Sequence, residues 1–252
     1  MARRGKYHRR RNRGRFSFFY KIVSFVLICG VVAVALALFF KVQHREVTGN
    51  SRYTGEEIVE ASGVMPGDNM FLLNKFDVSA RITAALPYVE TVQIRRALPD
   101  TLVFNVTECG DPAALVQDGT VWLISGSGKL VDTAPVAQLE EYAQITGISP
   151  QEPVLGARVQ TAPEEESALN TLLELLQLLQ RKDMTGDIQA IHLEDPSQLT
   201  LRYLDRFNVV IPWDADLDYK LNYLLAVVEK LEVNETGTID MTQEGRASFI
   251  PE

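Results

Sequence analysis

Cysteine and histidine are scarce: two and three, respectively, in 252 residues. Cys29 lies inside an apolar run and Cys109 far beyond it, so the two cannot pair within one chain, and a disulfide-stapled scaffold is excluded. His8, His44 and His192 are too far apart in sequence to offer a metal pair at helical spacing or an obvious triad, and no GxSxG elbow occurs. The segment "SGSGKL" lacks a phosphate-loop pattern, because Leu123 stands where its first glycine belongs and Leu130 where Ser or Thr would bind magnesium. Carboxylates are plentiful, yet Glu164, Glu165 and Glu166, like Asp214, Asp216 and Asp218, fall at expected helix starts, where the helix dipole accounts for them. The expectation is a protein that is not an enzyme, with no catalytic residue, no cofactor and no metal. A paired-acid hydrolase acting on cell wall is the enzymatic alternative, since spacing alone does not exclude it.

Acidic residues are missing altogether before Glu46, whereas eight Lys and Arg occupy the first fifteen positions. Of the 25 basic residues, eleven lie at or before Arg45, which leaves 14 against all 33 acidic ones and a net charge of −19 beyond that point. Such a body repels a phosphate backbone, so no nucleic-acid partner is expected. Between the two regions, residues 22–40 carry no charge and are closed by Lys21 and Lys41. Nineteen residues in a helix reach about 28 Å, close to the thickness of a bilayer's hydrocarbon core. Arg3, Arg4, Lys6, Arg9, Arg10, Arg11, Arg13, Arg15 and Lys21 precede this run, and only Lys41, Arg45 and Arg52 follow closely, so the N-terminus is expected in the cytoplasm and the acidic body outside. A cleaved secretion signal shares this order, with small-x-small sites at 33–35 and 35–37, but Leu38, Phe39 and Phe40 keep the run apolar past both. The basic head suits contact with anionic membrane lipid. Cys29, Ala33 and Ala37 form a small-residue stripe that occurs in many Ala-containing spans, and the triplets at 105–107 and 234–236 match a glycosylation pattern that arises often by chance.

Beyond the span, 42–47 reads as extended and Gly49-Asn50-Ser51 as a break. Thr54 and Glu57 form a capping box with Tyr53 and Ile58 at the staple positions, and Gly63 ends that helix. A second helix is expected to open near Asp77, to place Val78, Ile82, Ala85 and Leu86 on one face and to stop at Pro87. Val92 and Ile94, then Leu102, Phe104 and Val106, alternate with polar or outward residues and predict a hairpin buried on one face. After Asp111-Pro112 the pattern turns to short strands around Asp118-Gly119, a tight-hairpin signal. Thr161 and Glu164 predict a capping box before a stripe of Leu169, Leu172, Leu173, Leu176 and Leu179, which is expected to face a core because it is too short for a coiled coil. Strands are expected near 188–193, 199–204 and 207–211, a last helix through Leu217, Leu221, Leu224, Leu225 and Val228, and a last pair of strands at 238–241 and 247–250.

The order of a short basic head, one span, "VTGNSRYTGEEI", "PGDNMF", "LPYVETVQIRRALPDTLVFNVTE" and "DPAA", followed by "ITGI", "VLGARV", "YKLNYLLAVVEKL" and "GTIDM", resembles the FtsQ/DivIB family of bacterial cell-division proteins. The resemblance covers nearly the whole chain, with Cys109 standing where a basic residue usually follows the glutamate. It implies a single-pass membrane protein with an α+β exterior region: a cytoplasmic segment at 1–21, a transmembrane helix at 22–40, a POTRA domain at 41–110, which is a docking module, and at 111–252 a β domain with a curved, largely antiparallel sheet and flanking helices. It also implies a divisome scaffold at the division septum of the cell membrane, which binds FtsL and FtsB/DivIC-type proteins and regulates the septal peptidoglycan synthase complex. A membrane-anchored cell-envelope sensor or a secretion-associated POTRA protein is the alternative. Partner contact is expected along the terminal strand, at Asp240, Met241, Arg246, Ala247, Ser248, Phe249 and Ile250, and recruitment at Gly49, Asn50, Arg95 and Arg96.

Overall fold

A computed structural model describes residues 14–243 and 245–252. The basic residues from Arg3 to Arg13, on which the expected orientation largely rests, lie outside the described residues, as does Glu244 of the loop before the terminal strand. Helix α1 (Gly14–Phe39) runs unbroken through the apolar segment. Its stretch Phe18–Leu36 is fully unburied and is the only helix among the described residues long and apolar enough to cross a membrane. Phe40 lies just past the helix end.

Next come β1 (His44–Thr48), α2 (Gly55–Ser62), α3 (Lys75–Ala85), β2 (Val89–Ala97) and β3 (Thr101–Glu108). The strands form a three-stranded sheet in the order β1-β3-β2, with β1 parallel and β2 antiparallel to the central β3. Leu102, Phe104 and Val106 face one side of β3 and pack with Ile58 of α2 and with Val78 and Ile82 of α3. The expected capping box forms: the Thr54 side chain accepts the Glu57 N–H, and the Glu57 carboxylate accepts the Thr54 N–H. Helix α3 starts earlier than the sequence suggests, because Asn74 accepts the Phe76 N–H at 3.1 Å and supplies the cap. Ala85, expected on the buried face, is exposed in the final helical turn.

The second sheet, nine-stranded over the described residues, contains β4 (Ala113–Gln117), β5 (Thr120–Ile124), β6 (Leu130–Ala134), β7 (Gln144–Thr146), β8 (Ile188–His192), β9 (Gln198–Tyr203), β10 (Phe207–Pro212), β11 (Gly237–Asp240) and β12 (Ser248–Pro251). Its order is β12-β11-β10-β9-β8-β7-β4-β5-β6. The sheet is mixed: β7 pairs in parallel with both β4 and β8, and β10 pairs in parallel with β11. Helix α4 (Glu166–Arg181) buries all five residues of the expected leucine stripe together with Leu175 and Leu178, so core packing is the correct reading. Helix α5 (Leu217–Val228) adds Leu217, Leu221 and Leu224 to the same core, whereas Leu225 is exposed. The capping box expected of Thr161 and Glu164 does not form: Pro163 opens a short 3-10 turn there, and the next residue, Glu165, accepts the Ser149 N–H at 2.9 Å.

The two domains meet along the other face of β4 to β6. Tyr88 packs with Ala114, Val121, Leu123 and Val131, and its hydroxyl donates to Asp132 Oδ2 at 3.3 Å. Lys129 Nζ crosses the seam to the carbonyls of Thr83 (2.6 Å) and Val89 (3.3 Å), and burial there lowers its pKa.

Candidate partner-binding edge

Among the described residues, strand β12 ends the sheet and pairs only with β11, with Thr238 opposite Ile250, Ile239 opposite Phe249 and Asp240 opposite Ser248. In an antiparallel ladder every second pair exchanges both main-chain bonds, and the pairs between point theirs away. The Glu252 N–H donates to the Thr236 carbonyl at 3.1 Å, which makes that pair a bonded one and fixes the phase. Ser248 and Ile250 therefore spend their main-chain groups on β11. Phe249 turns its N–H and C=O to the open edge, and Pro251 presents a carbonyl there but no donor. On the β11 side, Gly237 and Met241 donate to the carbonyls of Arg206 and Val210, as the same phase requires.

Side chains alternate the other way. Phe249 is half-buried and meets the Phe207 ring edge-on at 6.1 Å, and Ala247 also packs on the core. Ile250 is 55% exposed on the opposite face, where it lies beside half-buried Ser248, and Arg246 is exposed. Met241, expected at a partner surface, is instead fully buried: its side chain supports the edge from beneath. Asp240 accepts the Thr242 hydroxyl and N–H at 2.7 and 2.8 Å, and these bonds lower its pKa and shape the turn after β11.

Two further residues hold this edge in place. Lys220 of α5 is buried, and its Nζ donates to the carbonyls of Met241 (2.5 Å) and Gln243 (3.3 Å), tying the loop before β12 to the helix layer. Gly237 has φ +152°, and a Cβ there would meet the Ile250 carbonyl oxygen at 2.2 Å. Lys220 was legible as the charged residue between Leu217 and Leu224 on the apolar stripe of the last helix, a position that demands a buried acceptor.

Family models decide what this arrangement belongs to. That of the FtsQ-type POTRA domain matches residues 40–108, and that of the C-terminal domain of cell division proteins FtsQ/DivIB matches 114–242, just over half the chain. The chain belongs to the FtsQ/DivIB family. A Clostridium botulinum cell division protein DivIB is 25% identical over 237 residues, covering 92% of this chain and 90% of its own. The Clostridium tetani DivIB is 24% identical over 210 residues, with 82% and 78% covered, and the Corynebacterium glutamicum cell division protein FtsQ is 29% identical over 188 residues, with 73% and 76% covered. Strand β12 lies beyond the matched residues of the FtsQ/DivIB C-terminal model.

The residues expected to serve recruitment lie at opposite ends of the central strand of the POTRA domain and do not form one patch. Gly49 has φ +82°, and a Cβ there would meet the Val106 carbonyl oxygen at 2.2 Å, so the chain needs glycine for the close approach. Asn50 Nδ2 donates to the Tyr53 carbonyl at 2.8 Å. Arg96 donates from Nε to the Met70 carbonyl at 2.7 Å and fixes the loop between α2 and α3. Arg95 is exposed and makes no ion pair among the described residues.

Glu108 is a residue the sequence reading passed over. Its carboxylate accepts the N–H groups of Ser51 (2.8 Å), Arg52 (2.7 Å) and Tyr53 (3.1 Å) and the Ser51 hydroxyl (2.7 Å). Burial raises its pKa, but these bonds outweigh that effect and hold it below the ordinary carboxylate value. A depressed carboxyl stabilises the fold above its unfolded pKa, and that contribution is lost as pH falls through the folded value. Glu108→Gln should cost about 1 kcal/mol at neutral pH, allowing for solvent screening, and should flatten the loss of stability on acidification. Denaturant melts of the two proteins from neutral to acidic pH check this, and parallel curves would contradict it. The neighbouring Cys109 thiol is pushed up to about 11 by burial and by Glu90, so it stays protonated and is no nucleophile at neutral pH. No group of three potential metal ligands occurs among the described residues.

Proposed function

We propose that this chain is a bitopic scaffold of the division machinery, with its N-terminus in the cytoplasm and both folded domains outside. It concentrates at the septum, binds FtsL and FtsB/DivIC-type proteins, and through them regulates the septal peptidoglycan synthase complex without catalysing a reaction itself. Family membership supports division over a sensor or secretion role. The observation that carries the partner reading is the open β12 edge, where the Phe249 N–H and C=O offer a strand-addition site and Ile250 and Ser248 offer side-chain discrimination. The binding mode is main-chain pairing for affinity, with neighbouring contacts from Asp240 and Arg246. Several weak contacts of this kind stabilise one arrangement of a complex, which is how a non-catalytic protein can control a synthase.

The test is where the full-length protein goes and what accompanies it. Fused to a fluorescent protein it should gather at midcell, and from detergent-solubilised membranes it should copurify with FtsL and FtsB/DivIC-type proteins. An even distribution around the membrane with neither protein recovered would refute the reading. Within the POTRA domain, Arg95→Glu should reduce midcell recruitment at unchanged stability, because this side chain is exposed and unpaired, whereas Arg96→Ala should loosen the loop it holds. Normal recruitment of the Arg95→Glu protein would remove Arg95 from the recruitment surface.

A further inference from the structure

One end of the POTRA domain is bonded directly to the end of the membrane span. Asn69 Nδ2 donates to the carbonyl of Leu36, in the last turn of α1, at 3.0 Å. Lys41 forms a bridge with Asn69, the Met70 N–H donates to the Phe40 carbonyl at 3.0 Å, and the rings of Phe40 and Phe71 meet edge-on at 5.2 Å. A helix leaves its last carbonyls without intrahelical donors, and at a bilayer edge water supplies few, so the Asn69 amide meets a need that the span itself creates. The same Asn69 accepts the N–H groups of Phe71 and Leu72 at 2.8 and 3.2 Å, which fixes the direction of the loop.

Two other segments reach this end. The β2–β3 turn returns here, since the N–H groups of Gln43 and His44 donate to the Asp100 carbonyl. Helix α3 runs antiparallel to β2, with Lys75 Nζ on the Ile94 carbonyl and Ser79 Oγ on that of Val92, so its first turn is also at this end. Each segment ends in an apolar side chain that points away from the core: Leu72 is 82% exposed, Phe76 85% and Leu98 59%, with Phe71 partly so. A residue within hydrogen-bond reach of Leu36 stands at the edge of the hydrocarbon, and about 5–7 Å of interfacial zone lies beyond it. The apolar side chains are therefore level with the lipid and not with bulk water.

We propose that this face is a membrane-contact surface, with Leu72, Phe76, Leu98 and Phe71 seated in the interfacial zone of the leaflet from which the span emerges. The POTRA domain then rides on the bilayer as a continuation of α1, which sets the height and orientation at which the second domain meets its partners. Arg96, 5.4 Å from the Phe71 ring, places a cation beside the apolar face, where lipid phosphates lie. Of the acids at this end, Asp68 accepts the Met65 N–H and Asp100 accepts the Thr101 hydroxyl, whereas Asp77 in the first turn of α3 is exposed and offsets the charge of Arg96. The contact is thus mainly apolar, and neutral lipid should support it as well as anionic lipid does.

The inference rests on the membrane span and not on the partner edge, so it can fail while that reading stands. In full-length protein carrying Trp122→Phe and Trp213→Phe, Leu72→Trp supplies the sole tryptophan, and Phe76→Trp reads the same face from α3 should the first variant fold poorly. Val233→Trp, at an exposed site in the second domain, is the control. In vesicles of neutral lipid brominated near the glycerol end of the chains, either reporter should be quenched about threefold or more above the control, as expected for groups buried in the headgroup boundary. Quenching equal to that of the control would overturn the proposal. Shielding of these positions that appears only when division partners are added would also overturn it, because the face would then belong to a protein contact.

Discussion

Phe249→Pro should weaken binding of the FtsB/DivIC-type partner by roughly tenfold to a hundredfold, the scale of one or two lost main-chain bonds plus a clash with the incoming strand. The substitution deletes the only N–H that β12 itself turns to the open edge and leaves both bonded pairs with β11 in place, but it also removes the ring packed on Phe207, so Phe249→Ala, which loses that ring and keeps the N–H, is its control. Ser248→Pro should behave differently. Its N–H is spent on Asp240, so proline there breaks the internal ladder and should lower stability as well as binding. Truncating a side chain gives the third comparison: Ile250→Glu changes an exposed position and should alter partner choice at constant stability, whereas Phe249→Glu would unseat a ring packed on Phe207 and so confuses folding with recognition. Titration of the partner's exterior segment into each folded variant, with thermal melts alongside, separates these outcomes. Equal affinities for Phe249→Pro and the parent would place the partner elsewhere.

The second large effect is expected at Gly237. Alanine there would put a methyl group 2.2 Å from the Ile250 carbonyl oxygen, against the backbone of β12 and not a flexible side chain, at a φ of +152° that L residues rarely adopt. The relief available is displacement of β12. Gly237→Ala should therefore cost about 2–4 kcal/mol and release the terminal strand, with loss of partner binding as a consequence. Proteolysis near residue 246 should accelerate in the variant, while the POTRA domain keeps its protection. An unchanged melting temperature would show that the edge yields without cost. Lys220 works on the same strand from the other end, because its two bonds hold the loop at Met241 and Gln243.

What the sequence disclosed follows from which interactions are local. Thr54 with Glu57, the period-two run Leu102, Phe104, Val106, and the leucine stripe of α4 are short-range patterns, and each corresponds to an observed element. Strand β7 escaped notice because three residues with one buried side chain, Ile145, carry no period, yet it supplies two of the three parallel pairings that make the sheet mixed. The capping signal at Thr161 was lost to Pro163, which opens a 3-10 turn at 163–165 ahead of the α-helix. At the partner edge, the open strand and its residues were legible, but the phase of the main-chain bonds was not. That phase depends on β11 and on Thr236 across the ladder, and it makes Phe249, not Ser248, the donor at the open edge. Met241 likewise reads as part of an exposed terminal segment until α5 and the sheet close over it.

The central claim is that a partner strand completes the sheet at β12. Amide exchange at residue resolution, on the full-length protein in a bilayer with and without the FtsB/DivIC-type partner, tests it most directly. The Phe249 amide should exchange fast in the free protein and become strongly protected in the complex, while the Ser248 and Ile250 amides, already bonded to β11, change little. A Phe249 amide that exchanges equally fast in the bound state, with protection arising on another surface, would contradict the account.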